Sequence, residues 1–194
     1  MTGSTWFIAD PHFGHQKVSE LRGFSETNLH DNKIVNQWCK QVREADVVYV
    51  LGDLSAGGRA AESYALEVLA TLPGHKRLIA GNHDSVSGIH RKMSSNWPKF
   101  KEVFETVNDF GRVRINGDEV LLSHYPYEGD HFDDPRFMQF RLRNEGLPLI
   151  HGHTHSDVRF AGREACVSWE AWKRMVNVGD LTDWVKESAH AWQS

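Results

Sequence analysis

Residues able to bind a metal ion or transfer a proton fall into five short motifs. The motifs are Asp10-Pro11-His12, Gly52-Asp53, Gly81-Asn82-His83-Asp84, Ser123-His124 and Gly152-His153-Thr154-His155. Carboxylate oxygen, imidazole nitrogen and amide oxygen, with no thiolate among them, suit divalent ions such as Mn²⁺, Fe²⁺, Ni²⁺, Co²⁺ and Zn²⁺. The candidate ligands outnumber the positions of one tetrahedral ion, so they suit two ions sharing a carboxylate. They are Asp10, His12, Asp53, Asn82, His124, His153 and His155.

Each motif directly follows a short apolar run that has the pattern of a β-strand. The predicted strands are residues 5–9, 47–51, 77–80, 112–115, 120–123, 149–151, 165–168 and 175–178. In an α/β sheet, side chains just past the carboxyl ends of parallel strands converge on one crevice. The pattern therefore predicts that five strand ends deliver the polar residues to one site.

Helical patterns separate the first three strands. Ile34, Trp38 and Val42 recur at helical spacing, and residues 64–69 suggest a second helix that ends before Pro73-Gly74. This alternation predicts a parallel α/β layer, whereas closer strand spacing after residue 107 suggests a more antiparallel second half. We expect a closing helix over residues 181–190 with Asp180 as its N-cap. Residues 85–101 and 126–145 are polar and irregular, as functional or partly helical loops are.

The local backbone around the motifs carries two further expectations. Residues i and i+2 of an extended strand point the same way, so the Asp10–His12 and His153–His155 pairs should each reach one pocket. Gly52, Gly81 and Gly152 precede motif residues, where we expect tight backbone turns.

Composition excludes several classes of protein. The 194 residues suit one domain, and a formal net charge of −4 gives no support for a broad nucleic-acid or membrane surface. Cys39 and Cys166 form neither a disulfide framework nor a cysteine zinc motif. No apolar run approaches the ~20 residues that span a bilayer, and no signal peptide is evident. We expect a cytoplasmic protein, acting in the host cytoplasm if a phage encodes it.

The order of the five motifs resembles the calcineurin-like metallophosphoesterase superfamily. The opening Asp10-Pro11-His12-Phe13-Gly14-His15 is similar to that of small, single-domain phosphodiesterases of bacteria, archaea and phages. The resemblance implies an α/β fold, a four-layer α/β/β/α sandwich of two mixed sheets with a dimetal site at the strand ends. It also implies a single metallophosphoesterase domain over residues 1–194, without a capping domain.

The resemblance further implies roles for the motif residues. Asp10, His12, Asp53 and His155 would hold the first ion, and Asp53 would bridge to a second ion completed by Asn82, His124 and His153. Mn²⁺ is the first choice of metal, and the attacking group would be a hydroxide bridging the two ions. His83 would be the general acid, with Asp84 either orienting its ring or closing a loop. His15 has three open roles, contact with substrate, support of a ligand or a plain position on the surface, and His151 faces away from the ligands or supports them from behind.

The resemblance implies a phosphoric diester hydrolase for small substrates, including 2′,3′-cyclic nucleotides. Leu54-Ser55-Ala56-Gly57-Gly58 follows Asp53 where protein phosphatases of the superfamily have Asp-Arg-Gly, so phosphomonoesters are less expected. The alternatives are a single-strand nuclease or a phosphomonoesterase on the same site, and a non-enzymatic scaffold of the same fold. Nucleic acid is not the favoured partner, no membrane partner is expected, and the oligomeric state is left open. The histidines outside the motifs are expected on the surface; they are His30, His75, His90, His131 and His190. Four tryptophans are expected in the core or at interfaces; they are Trp6, Trp38, Trp169 and Trp172.

Overall fold

The computed structural model describes residues 3–130 and 133–190. The strands are β1 (Thr5–Ile8), β2 (Val47–Val50), β3 (His75–Ile79), β4 (Thr106–Asn108), β5 (Phe110–Ile115), β6 (Asp118–Ser123), β7 (Leu149–His151), β8 (Phe160–Ala161), β9 (Glu164–Cys166) and β10 (Val176–Asn177). The α-helices are α1 (Gln16–Leu21), α2 (Thr27–Gln41), α3 (Arg59–Ala70), α4 (Met93–Lys101), α5 (Trp169–Trp172) and α6 (Thr182–His190). Short 3₁₀ helices lie at Met138–Phe140 and Val178–Leu181.

The strands form two mixed sheets. The first has the order β10-β1-β2-β3-β4, in which β1 to β4 are parallel and only the edge strand β10 is antiparallel. The second has the order β5-β6-β7-β9-β8, with β6, β7 and β9 parallel and antiparallel strands at both edges. The expected antiparallel second half is therefore confirmed at its edges and wrong at its centre.

Alternate residues of the first sheet face two separate cores. Ile8, Val50 and Leu78 pack with the helical residues Trp38 and Leu69 in a cluster that joins this sheet to α2, α3 and α4. Their neighbours in sequence turn the other way, so that Phe7, Leu51 and Ile79 pack with Val120, Leu122 and Ile150 of the second sheet and with Trp184 and Val185 of α6. Because each strand residue faces opposite to the next, one sheet buries both faces. The layers are thus α/β/β/α, as predicted.

Each predicted strand has a counterpart in the structure, while β4 and β8 were not predicted. Both are short edge strands, of three and two residues, so their sequences hold too little alternation to be recognised. The first irregular segment contains α4, and the second contains the 3₁₀ helix at Met138–Phe140. Among the described residues, no helix has both the length and the apolar character needed to cross a membrane.

The expected N-cap of the closing helix is wrong. Asp180 lies inside the 3₁₀ helix Val178–Leu181, which precedes α6 and has Asn177 as its own N-cap. The carboxylate of Asp180 accepts the backbone N–H of Asn177 at 2.8 Å, and the Asn177 side chain accepts the N–H of Gly179 at 3.0 Å. Asp180 therefore completes a capping box one turn earlier than the periodicity indicated.

Candidate active site

The loops after β1, β2, β3, β6 and β7 bring all seven predicted ligands together. Asp10, His12 and His155 form one group of ligand atoms within 4.8 Å of one another, and Asp53, His124 and His153 form a second. The Oδ2 of Asp53 lies 3.5 Å from His124 Nε2 and 4.0 Å from His12 Nε2, so this carboxylate lies between the two groups. The seventh residue, Asn82, places its Oδ1 3.2 Å from His124 Nε2.

The backbone at the ligands is left-handed, not extended as the sequence pattern suggested. Asp10, His12, Asp53, His153 and His155 have φ between 48° and 68°. Such a conformation costs a non-glycine residue about 1–3 kcal/mol and persists only where the surroundings enforce it. The loops thus place each side chain by a sharp turn rather than by strand alternation. As a result, His153 and His155 belong to different ligand groups.

Two glycines are required by close approach of the ligand loops. A Cβ on Gly52, which has φ of 79°, would lie 2.5 Å from the backbone nitrogen of Gly81. A Cβ on Gly152 would lie 2.5 Å from the Cβ of Ala9 and 2.7 Å from Oδ2 of Asp10. The loops that carry the ligands can therefore meet only without side chains at these positions, which gives the predicted glycine requirement its physical basis.

Hydrogen bonds assign the ring nitrogen that each ligand histidine presents to the cluster. Nδ1 of His12 donates to the carbonyl of Ser55 at 3.0 Å, and Nδ1 of His124 donates to the carbonyl of Leu51 at 2.8 Å. Nδ1 therefore carries a proton in both rings, which leaves Nε2 as the nitrogen that can bind a metal ion.

Carboxylates hold the remaining two rings. His155 Nδ1 lies 2.8 Å from Oε1 of Glu170, and His153 Nε2 lies 3.1 Å from Oδ2 of Asp130. Histidine that donates to a carboxylate or carbonyl is the usual arrangement around protein-bound metals. The donor set, the clustering and the fixed tautomers therefore fit a pair of divalent ions.

Electrostatics favour the metal-binding protonation state at Asp53 and His153 but not at every ligand. Burial disfavours the charged ring of His124, yet Asp53 raises its pKa to about 9, and burial raises the pKa of Asp10. Burial opposes the charge of Asp53, yet the adjacent His124 holds the pKa of this carboxyl well below its usual range. Burial, assisted by His124, lowers the pKa of His153 to about 3. A carboxylate and a neutral imidazole are the forms that coordinate divalent ions.

An open groove of about 610 Å³ passes over the ligands. Besides His12, Asp53, Asn82 and His155, it is lined by His15, His83, Arg136 and three residues of α1, namely Lys17, Val18 and Leu21. A second groove of about 470 Å³ adjoins it, because both are lined by Leu21, Arg22, His155 and Glu170. Phe24, Lys33 and Lys173 line the second groove farther from the ligands.

Comparison with known proteins identifies this arrangement. Residues 3–157, which contain all five motifs, match the family described as calcineurin-like phosphoesterase. The chain belongs to this family. A calcineurin-like phosphoesterase is a hydrolase of phosphate esters, and membership implies divalent metal ions at the clustered ligands.

The relatives include phage proteins. The Gene 66 protein of Mycobacterium phage D29 is 39% identical over 193 residues, covering 95% of this chain and 96% of that protein. The Gene 66 protein of Mycobacterium phage L5 is 38% identical over 194 residues, covering 94% of each. A solved structure of a protein of unknown function from Aquifex aeolicus superposes with a TM-score of 0.70 at 24% identity, covering 94% of this chain and 99% of that one. The latter likeness concerns the fold alone.

His83 and Asp84 have different surroundings in this calcineurin-like phosphoesterase. The side chain of His83 is 41% exposed, and its Nε2 lies 4.0 Å from Oδ2 of Asp53. Asp84 is buried, and its carboxylate accepts the backbone N–H groups of Gly81, Asp53 and Leu54 at 2.8 to 3.0 Å. These bonds favour the loop-closing alternative for Asp84 over the orientation of the His83 ring.

The other histidines divide between the site and the surface. His15 is half-buried with its ring centroid 5.3 Å from that of His12, and His151 is buried with Nδ1 donating to the carbonyl of Gly152. The expected surface position of His30 is wrong, since it is fully buried between Arg22 and Asp31. His90 is half-buried, and its Nε2 lies 3.0 Å from the carbonyl of Asn82. His75 is exposed as expected, whereas His131 and the side chain of His190 lie outside the described residues.

Sequence reasoning missed three residues around the ligands: Arg22, Asp130 and Glu170. Glu170 carried a usable signal, because it follows the predicted strand at residues 165–168 as the other site residues follow theirs. Arg22 lies just after α1, and Asp130 lies in the irregular segment 126–145, where no periodicity relates it to the site.

Proposed function

We propose that this protein is a metal-dependent phosphodiesterase acting on small phosphodiesters, with 2′,3′-cyclic nucleotides among the reasonable substrates. The observation that carries the proposal is the position of the Asp53 carboxylate between two ligand groups, under an open groove that also exposes His83. When bound there, divalent ions activate water and neutralise the charge that develops on phosphate.

The ligand sets follow the two clusters. Asp10, His12, Asp53 and His155 would hold one ion, and Asp53, Asn82, His124 and His153 would hold the other. Mn²⁺ is the ion we propose, since carboxylate, amide and imidazole ligands without thiolate suit it; Fe, Ni, Co and Zn are the alternatives.

In this proposal His83 protonates the oxygen that leaves phosphorus. Its partial exposure and its place in the groove lining support that role, because a general acid must reach the substrate. Asp84 acts indirectly, as a positioning residue, by holding the backbones that carry Asp53 and Gly81. His15 lines the same groove and is a candidate for contact with substrate oxygens.

Charge around the groove supports diesters over monoesters. Arg59, at the start of α3, does not line the groove. The lysine and arginine residues that line it are Lys17, Arg22 and Arg136. Arg22 is buried and already donates to backbone carbonyls and Glu170. A phosphomonoester dianion needs more positive charge around it than a phosphodiester monoanion does. A groove with this small number of cations therefore favours diesters.

The test is a metal-dependent activity panel with matched leaving groups. Bis(p-nitrophenyl) phosphate, p-nitrophenyl phosphate and a 2′,3′-cyclic nucleotide would be assayed after loading with each candidate metal. We expect higher kcat/KM for both diesters than for the monoester, and none after chelation. A large preference for the monoester or for phosphoserine peptides would contradict the proposal.

A second candidate, a single-strand nuclease, draws on one observation. The adjoining groove continues away from the ligands past Lys33 and Lys173, which provides length and positive charge for the next phosphates of a strand. The double variant Lys33→Glu/Lys173→Glu should then impair cleavage of a single-stranded oligonucleotide while sparing the aryl diester. Oligonucleotide cleavage at the wild-type rate in the variant would eliminate the nuclease candidate.

The scaffold alternative does not fit a family of hydrolases. A cytoplasmic location stays a prediction.

A further inference from the structure

Two of the ligand histidines are each held by a carboxylate that is itself held by a buried arginine. His155 contacts Glu170, and Arg22 Nε donates to the same oxygen, Oε1 of Glu170, at 2.8 Å. On the other side, His153 contacts Asp130, and Arg141 Nη2 donates to the same oxygen, Oδ2 of Asp130, at 3.1 Å. The arginine side chains are only 5% and 2% exposed. His155 belongs to the ligand group that contains Asp10, and His153 belongs to the ligand group that contains Asp53.

Arg22 also fixes the loop that carries the other ligands of the first group. Its Nη2 donates to the carbonyl of Asp10 at 2.8 Å, and its Nη1 donates to the carbonyl of Pro11 at 3.2 Å. Nη1 further donates to Nε2 of His30 at 2.8 Å, and Nδ1 of that buried ring lies 2.8 Å from Oδ1 of Asp31. One guanidinium therefore joins the loop of Asp10 to the carboxylate that orients His155.

Arg141 plays the corresponding part for the second group. Its Nη1 donates to the carbonyl of Gly129 at 2.6 Å, and its Nε and Nη2 donate to the carbonyl of Arg136 at 3.1 and 2.9 Å. These bonds tie Gly129 and Arg136 to the guanidinium beside Asp130, which also accepts the backbone N–H of Arg136 at 3.0 Å. The carboxylate that contacts His153 is thus fixed by bonds to residues that belong to neither ligand group.

We propose that Arg22–Glu170 and Arg141–Asp130 are two independent pairs of positioning residues, each of which sets the affinity of one metal site. The inference rests on the ligand sets of the proposed function. The case for independence is that the hydrogen bonds of Arg22 and Arg141 use no residue in common, although the two ligand groups touch where the backbone N–H of His153 donates to the carboxylate of Asp10 at 3.0 Å. A planar guanidinium holds several acceptors in fixed directions, which the single ammonium of lysine does not do.

The expected size of the effect comes from metal sites in general. Mutating the partner of a ligand histidine typically costs 10- to 100-fold in metal affinity, because the ring loses its orientation and tautomer. Replacing either arginine by lysine keeps the positive charge but loses the planar fork, so the carboxylate and the histidine bound to it lose their fixed position.

The experiment measures Mn²⁺ binding without substrate, by calorimetry and by electron paramagnetic resonance of free Mn²⁺. Each site is isolated in a background that disables the other, His12→Ala to leave the second group and His124→Ala to leave the first. Arg22→Lys and Arg141→Lys are then introduced into both backgrounds. Arg112→Lys, a change at an exposed arginine paired with Glu119, is the matched control.

We expect Arg22→Lys to weaken Mn²⁺ binding about 10- to 100-fold where the first group remains, with little change where the second remains. Arg141→Lys should give the reverse pattern, and Arg112→Lys should change neither. Equal weakening of both sites by one variant, or no weakening at all, would overturn the inference.

Circular dichroism and thermal unfolding of the metal-free variants separate this role from a general loss of fold. If a lysine variant does not fold, Glu170→Gln and Asp130→Asn replace it, since both keep the size of the side chain and remove only its charge. Selective loss at one site supports the pairs, and uniform loss contradicts them. If the wild-type protein binds fewer than two ions, the ligand assignment of the proposed function fails. If it binds two ions but the arginine variants weaken both sites equally, only the present inference fails.

Discussion

At Asp53 a single carboxylate serves both ligand groups, and this separates its role from those of the other ligands. Its Oδ2 lies within 4.0 Å of a histidine from each group, and its Oδ1 accepts the backbone N–H of His83 at 2.9 Å. Asp84 in turn holds the backbone nitrogen of Asp53. The residue that joins the two metal sites is therefore itself fixed at its backbone and at its side chain.

Asp53→Asn should weaken both sites, because an amide offers a weaker, neutral ligand at the shared position. His124→Ala should chiefly weaken the second site, since His124 belongs to one group only. Metal content per chain after matched loading distinguishes the two variants. Two-ion occupancy unchanged in Asp53→Asn would show that this carboxylate does not bridge.

The role of His83 is tested through the leaving group. A general acid contributes ~10²–10⁴-fold when the leaving oxygen must be protonated, and far less when it departs as a stable anion. His83→Ala should keep its two metal ions, lose most activity on a cyclic nucleotide and lose less on an aryl diester. The variant should also lose the alkaline limb of the pH–rate profile. Equal losses on both substrates, with metals retained, would remove His83 from the acid role.

At the level of elements, short turns rather than regular structure place the functional groups. The strands end just before the ligands, and a left-handed backbone at five of the seven ligands then directs their side chains into the cluster. A short turn also precedes the last helix, where the capping box of Asn177 and Asp180 starts the 3₁₀ helix that leads into α6. Arg174 contributes to this turn by donating to both oxygens of Asp180.

Asp180→Asn should destabilise the protein at neutral pH by up to about 1 kcal/mol, because it removes the partly exposed ion pair with Arg174 and weakens the capping box. Burial opposes ionisation, but Arg174 lowers the pKa of Asp180 below its usual value. Its contribution is therefore complete above the unfolded-state pKa of about 3.9 and is lost as pH falls through the lower folded-state pKa.

Urea unfolding at pH 7 and near pH 2.5 tests this dependence on Asp180. Asp183→Asn is the matched control, because Asp183 is a highly exposed carboxylate in the first turn of α6. The difference between wild type and Asp180→Asn should shrink at the lower pH, whereas Asp183→Asn should have little effect at either. A difference that grows as pH falls would contradict the assigned sign.

For the whole molecule, the site lies where the two sheets meet. Asp10, Asp53 and Asn82 follow strands of the first sheet, whereas His124 and the histidines at 153 and 155 follow strands of the second. Each ligand group contains residues from both sheets. Bound ions would consequently join the two halves of the sandwich.

Metal binding should therefore raise the stability of the whole fold. One ion present at 100 times its dissociation constant stabilises a protein by about 2.7 kcal/mol if it binds only the folded state. Thermal unfolding with Mn²⁺ and with a chelator measures this effect. We expect a clear rise in Tm with Mn²⁺, a smaller rise in Asp53→Asn and the wild-type rise in Asp183→Asn. An Asp53→Asn protein that gains as much as wild type would contradict the bridging position.

The sequence by itself determined eight of the ten strands, the fold family and the set of clustered ligands. These follow from local information, because each motif adjoins an apolar run and the order of the motifs is specific to the family. The helices α2 and α3 were also recognisable, since their apolar spacing is regular over several turns.

The division of the ligands was implied by the family resemblance, whereas only the tertiary structure decided how they are supported. The separation of His153 from His155 depends on left-handed turns that strand periodicity does not encode. The contacts of Arg22 with Glu170 and of Asp130 with His153 join segments far apart in the chain, and the edge strands β4 and β8 exist only through pairing with their neighbours. Long-range contacts of this kind leave no local pattern, because any polar residue in a loop can make them once the fold brings its partner close.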